Sequence, residues 1–153
     1  MPSGKPRPAR DVRVTWDGGT EPQLDENRVR AVVTAVLDGE GAGEAIVSVT
    51  FLSGPAMRGL NRRTLGRDHA TDVVAYALAH PGHVVGDVYV CPAVARRSAH
   101  AAGVSVAEEL VRLVVHGVLH VLGYDHPRDH GREASPMWQR QERYVAALSP
   151  RRA

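Results

Sequence analysis

Three histidines fall within the eleven residues "HGVLHVLGYDH": His116, His120 and His126. Neutral imidazole is a good ligand for a borderline divalent ion, and residues four apart on a helix stack on one face. Gly123 lets the chain turn at a helix end and return His126 to the other two. The set therefore predicts a three-histidine metal site with one ion per chain and a coordination position left for water. Zinc is the first expectation, while nickel or copper would also bind such a site in vitro. The competing reading is a solvated stripe with incidental histidines. Three of the chain's eight histidines beside a well-placed glycine favour the metal.

The positioning element is a helix. Ser105 followed by Glu108 has capping-box spacing and marks its start. From Leu110 to Leu122 nearly every residue is apolar, and the polar exceptions Glu108, Arg112, His116 and His120 step by four. A mostly buried helix thus carries one polar stripe ending in two histidines. The same spacing matches a long zinc-protease motif, which carries a glutamate base directly after the first histidine. Here that position is Gly117, so peptide hydrolysis would lack a base that typically supplies about 10²–10⁴-fold.

Arginines suggest the substrate. Arg58, Arg62, Arg63 and Arg67 cluster on one segment, and Arg96 and Arg97 form a pair. A guanidinium grips phosphate through a bidentate fork, whereas an isolated cluster is more often a solvated helix face. Asp125 adjoins His126 and either orients a ligand or caps the turn. His130 reads as a surface residue. Asp72 and Asp87 follow strand or turn signals, with turn and cap duty the simpler account. Cys91 reads as core, and Trp16, Trp138 and Tyr144 read as packing residues. Five aromatics beyond those two tryptophans, one of them Phe, make an aromatic RNA platform unexpected.

The surrounding pattern predicts an α+β domain: a small mixed four-stranded sheet with helices packed on it and the metal-binding helix near the C-terminus. "DVRVTW", "AIVSVTFL", "TDVVAYAL" and "HVVGDVYVCP" read as strands, the last two joined by turn chemistry into an antiparallel pair. Helices are expected over "LDENRVRAVVTAVLDGEG" (capped by Asp25), "GPAMRGLNRRTLG", "AVARRSAHAAG" and "SPMWQRQERYVAAL". Residues 1–10 read as a flexible basic arm and 11–150 as one domain. At 153 residues and 43% hydrophobic composition, the chain suits one modest core. It has no apolar run of membrane-spanning length and no secretory-type start. A formal charge of +2 does not by itself indicate nucleic acid. The single Cys91 fits a reducing, cytoplasmic setting.

"HGVLHVLGYDH" closely resembles the signature of the YbeY family, bacterial endoribonucleases of ribosomal RNA maturation. "LNRRTLGRDHATDVVAYAL", "GDVYVC" and "EELVRLVVHG" resemble further segments of that family, covering most of Ile46 to Tyr144. In many members an arginine stands where this chain has Leu65, and Arg63 or Arg67 are the candidates to replace it. Ala70, Ala75 and Ala77 stand where proline, serine and proline are frequent.

The resemblance implies a metal-dependent, single-strand-specific endoribonuclease of 16S ribosomal RNA maturation and ribosome quality control. Its implied partners are single-stranded rRNA, the small ribosomal subunit and its assembly proteins, with no membrane role. The expected RNA-binding residues are Arg62, Arg63, Arg67, Arg96 and Arg97. Beyond metal-activated water, the catalytic candidates are Arg67, Arg63 and Asp125. Two alternatives stand beside it: a non-catalytic, zinc-stabilised ribosome-assembly factor, and more remotely a metalloprotease-like hydrolase.

Overall fold

The computed structural model describes residues 6–17, 23–66, 71–78, 80–127 and 131–149. Among these, the elements run β1 (Arg10–Trp16), α1 (Glu26–Gly39), β2 (Glu44–Phe51), α2 (Gly54–Leu65), β3 (Val73–Leu78), β4 (His83–Val90), α3 (Pro92–Ala102), α4 (Val106–Val121) and α5 (Pro136–Leu148). The sheet has the order β1-β2-β4-β3. β1, β2 and β4 run parallel, while β3 is antiparallel to β4. The architecture is the expected α+β domain with a mixed four-stranded sheet.

Local chemistry explains the element boundaries. Asp25 caps α1 by accepting from the Asn27 backbone N–H at 3.0 Å, and Val29, Val32, Val33, Val36 and Leu37 bury the face their spacing predicts. Ser53, Ser105 and Ser135 cap α2, α4 and α5 in the same way. The expected arm over residues 1–10 needs one correction. Arg10 opens β1, donating from Nε to Gly43 O and pairing through Nη1 with Asp38. A charged residue can begin a strand when its head reaches loop carbonyls beyond the apolar face, a partner set that sequence pattern does not display. Residues 1–5 lie outside the described residues.

The two sheet faces are unequal. The larger core joins Val47, Val49, Phe51, Val88 and Val90 to α1, α4 and Met137 of α5. Trp16 stacks on Phe51 at 3.9 Å, a packing role as expected. On the opposite face, Val74, Tyr76 and Tyr89 meet Met57 and Leu60 of α2, with Cys91 buried among them.

α4 lies at the centre, against β3, β4, α1, α3 and α5. Its approach to β4 depends on two missing side chains. A Cβ at Gly117 would fall 2.4 Å from Val88 Cγ1, and one at Gly86 2.4 Å from Val121 Cγ1. Either contact would push helix and strand apart. Among the described residues, no helix is long and apolar enough to cross a membrane.

Candidate metal centre

His116 and His120 project from the last two turns of α4. Gly123 then adopts φ 103°, a conformation that L side chains rarely adopt. The reversal brings His126 to ring-centroid distances of 5.1 Å from both His116 and His120, which are themselves 4.5 Å apart. One ligand nitrogen from each ring lies within 4.8 Å of the other two. The three residues singled out by spacing therefore meet, and they could hold a metal ion.

Hydrogen bonds decide which nitrogens are available. His120 Nδ1 lies 2.9 Å from Tyr124 O, and His126 Nδ1 lies 2.9 Å from Pro127 O. A backbone carbonyl only accepts, so both Nδ1 atoms carry the proton. His116 Nδ1 lies 2.6 Å from Gln141 Oε1. The amide of Gln141 is oriented by its other end, where Nε2 donates to Glu142 Oε2 at 3.1 Å. Because a carboxylate only accepts, the Gln141 oxygen must face His116. In each neutral ring the Nε2 lone pair is then free for a metal, and all three second nitrogens are anchored as in established metal sites.

Burial reinforces neutrality. His116 is driven down to about 4 by burial, against the Gln141 hydrogen bond that favours its charged form. His120 is lowered too, again chiefly by burial. A low proton affinity leaves both rings as ligands at neutral pH.

The rest of the polar stripe is not solvated. Arg112 spans to α5, where Nε and Nη2 each lie 3.0 Å from Glu142, and Nη1 lies 2.9 Å from Glu109. A continuous run of contacts thus links Arg112, Glu142, Gln141 and His116. Burial pushes the Glu142 carboxyl up, but Arg112 and Gln141 outweigh it and hold it below its ordinary range. A cleft of about 580 Å³ opens beside His116, with walls that include Asp72, Glu109, Arg112, Arg132 and Trp138. Burial raises both Asp72 and Glu109, with Arg112 pulling Glu109 back and backbone N–H groups and Arg132 restraining Asp72.

The chain has relatives. Residues 17–149 match the family model described as Endoribonuclease YbeY. The chain belongs to the YbeY endoribonuclease family. It is 41% identical over 134 residues to the endoribonuclease YbeY of Moorella thermoacetica, covering 79% of this chain and 85% of that protein. The Salinispora tropica protein of the same name is 36% identical over 152 residues, covering 89% and 94%. A solution structure from Thermotoga maritima superimposes with a TM-score of 0.61 at 27% identity, covering 90% of this chain and 88% of that one.

Within this YbeY chain, the sequence-selected arginines that the structure describes stand away from the cleft walls. Arg62 and Arg63 are exposed in the last turn of α2, and Arg96 and Arg97 are exposed on α3. These two helices touch each other. Arg67, Ala70 and His130 lie outside the described residues, and Leu65 ends α2. Asp125 Oδ1 accepts from the His126 backbone N–H at 2.8 Å. Asp87 accepts from Ser48 Oγ at 2.5 Å.

Sequence reasoning missed Gln141, Glu142, Arg132 and the cleft position of Asp72. Gln141 left a signal: it shares the i, i+4, i+8 stripe of α5 with buried Met137 and Val145. A glutamine on an apolar stripe requires a buried partner.

Proposed function

We propose that this chain is a zinc-dependent, single-strand-specific endoribonuclease that matures 16S ribosomal RNA and acts in ribosome quality control. It would work in the cytoplasm on the small subunit, in company with its assembly proteins. The family membership supports the nuclease activity. The observation that carries metal dependence is the anchoring of all three Nδ1 atoms, which leaves three Nε2 lone pairs for one ion.

His116, His120 and His126 would hold the metal. A divalent ion in a three-histidine site supplies Lewis acidity toward phosphoryl oxygen and water, with a position left open. The chain's own groups prepare the setting. Gln141, Tyr124 O and Pro127 O fix the ring orientations and tautomers. The packed walls of β3, α4 and α5 limit water around His116. Asp72, with its proton affinity raised by burial, lines the same cleft and is the carboxyl we assign to hold a proton during cleavage.

A metalloprotease reading fails on packing as well as on sequence. Gly117 faces Val88, so a glutamate there would enter the helix–sheet contact.

The test is cleavage by purified full-length protein of a 16S precursor segment, an unrelated single-stranded RNA and a duplex. Zinc-loaded protein should cut the single-stranded regions, while metal-stripped protein and His116→Ala should not. RNA binding without cleavage under all conditions would replace the enzyme with a metal-stabilised assembly factor.

A further inference from the structure

We propose that Arg132 grips a backbone phosphate of the RNA in the cleft beside His116, an assignment that rests on the endoribonuclease reading. The cleft has two described arginines in its walls, and they differ in what they can still bind. Arg112 is saturated: Nε and Nη2 meet Glu142, and Nη1 meets Glu109. Arg132 Nε is buried and has no hydrogen-bond partner. Its guanidinium joins no ion pair among the described residues.

A buried charged donor without an acceptor is costly. An anion entering the cleft would remove that cost. Arg132 and His116 line the same cleft. A group held by Arg132 therefore shares the cleft with His116.

The ligand class follows from shape and charge. A planar guanidinium matches two oxygens of a phosphate. The cleft volume of about 580 Å³ lies within the usual range for small-ligand sites, enough for a nucleotide unit of a strand. Of the carboxyls in the walls, Glu109 is already paired with Arg112. Asp72 and Glu133 share these walls with Arg132 and are the carboxyls a phosphate must compete with. None of the arginines expected from sequence and described here lines this cleft, so Arg132 is a separate contact.

The probe is a short 2′-O-methylated single-stranded RNA, titrated by fluorescence anisotropy into zinc-loaded full-length protein at several salt concentrations. Arg132→Ala should weaken binding by about tenfold, consistent with loss of one charge-assisted contact. It should also reduce the salt slope of log affinity by about 0.7. Arg132→Lys should restore most of the slope but only part of the affinity, because the charge returns without the fork. Elemental analysis should find zinc in Arg132→Ala at the parent level. Parent affinity and slope in Arg132→Ala would overturn the proposal. Loss of metal or fold in that variant would also overturn it, by making the residue structural. The parent's own RNA cleavage is measured in parallel, so failure of the nuclease reading is seen separately from failure at Arg132.

Discussion

Gln141 on α5 accepts a hydrogen bond from Nδ1 of His116 on α4 at 2.6 Å, and it can do so because Glu142 holds the other end of its amide. The most deeply buried of the three histidines is thus oriented from a different helix. Gln141→Met would keep most of the volume and remove the acceptor. Zinc affinity should fall about 10–100-fold, as for other outer-shell partners of ligating histidines. Competition with a chromophoric chelator measures this, and unchanged affinity would mean that packing alone holds the ring.

Gly117 separates stability from catalysis. Gly117→Ala should destabilise the fold by about 1–3 kcal/mol, because the new methyl meets Val88 at 2.4 Å. Val88→Ala in the same chain should recover part of the loss in denaturant unfolding. Gly117→Glu should show no turnover of unstructured peptides, despite restoring the protease-like spacing.

Metal-free protein should become less stable as pH falls from about 6.5 toward 4. His116 has a folded value of about 4 against an ordinary 6.5, so the unfolded chain takes up more protons across that window. Its contribution is complete above the unfolded value and is lost as pH drops. One such group changes stability by at most about 1.4 kcal/mol per pH unit. His120 acts in the same direction. His116→Gln should flatten the dependence of melting temperature on pH, and a parent curve no steeper than the variant's would contradict the assignment.

Glu40 should add to this acid sensitivity at lower pH. Burial raises its carboxyl, but hydrogen bonds from Tyr124 and Tyr144, both 2.6 Å, and the Arg140 charge bring it below its ordinary value. Its stabilisation is therefore present above about pH 4.5 and fades as pH falls below it. Glu40→Gln should cost about 1–3 kcal/mol at neutral pH, with the gap from the parent narrowing in acid.

The exposed arginines of α2 and α3 have their own test. If Arg62, Arg63, Arg96 and Arg97 hold phosphates, each alanine variant should weaken binding to two unrelated single-stranded RNAs equally. Each should also lower the salt slope by about 0.7. Loss of one sequence alone would identify a base contact, and unchanged slopes would identify solvated helix faces.

The sequence by itself determined the elements and the candidate metal ligands, because both are written in local spacing. Val29, Val32, Val33, Val36 and Leu37 announce a helix face whatever they pack against, and His116 and His120 share a face on any helix. Gly123 announces the reversal that returns His126. Tertiary structure alone decided what surrounds those ligands. The Gln141 amide, the Arg112 clamp and the unpaired Nε of Arg132 depend on the docking of α5 and the residues just before it against α4, and hydrogen-bond partners 25–30 residues apart leave no periodic trace. The same holds for Gly117. In sequence it is a missing catalytic base; in the fold it is the space that Val88 needs, because helix–sheet distance is set by both surfaces together.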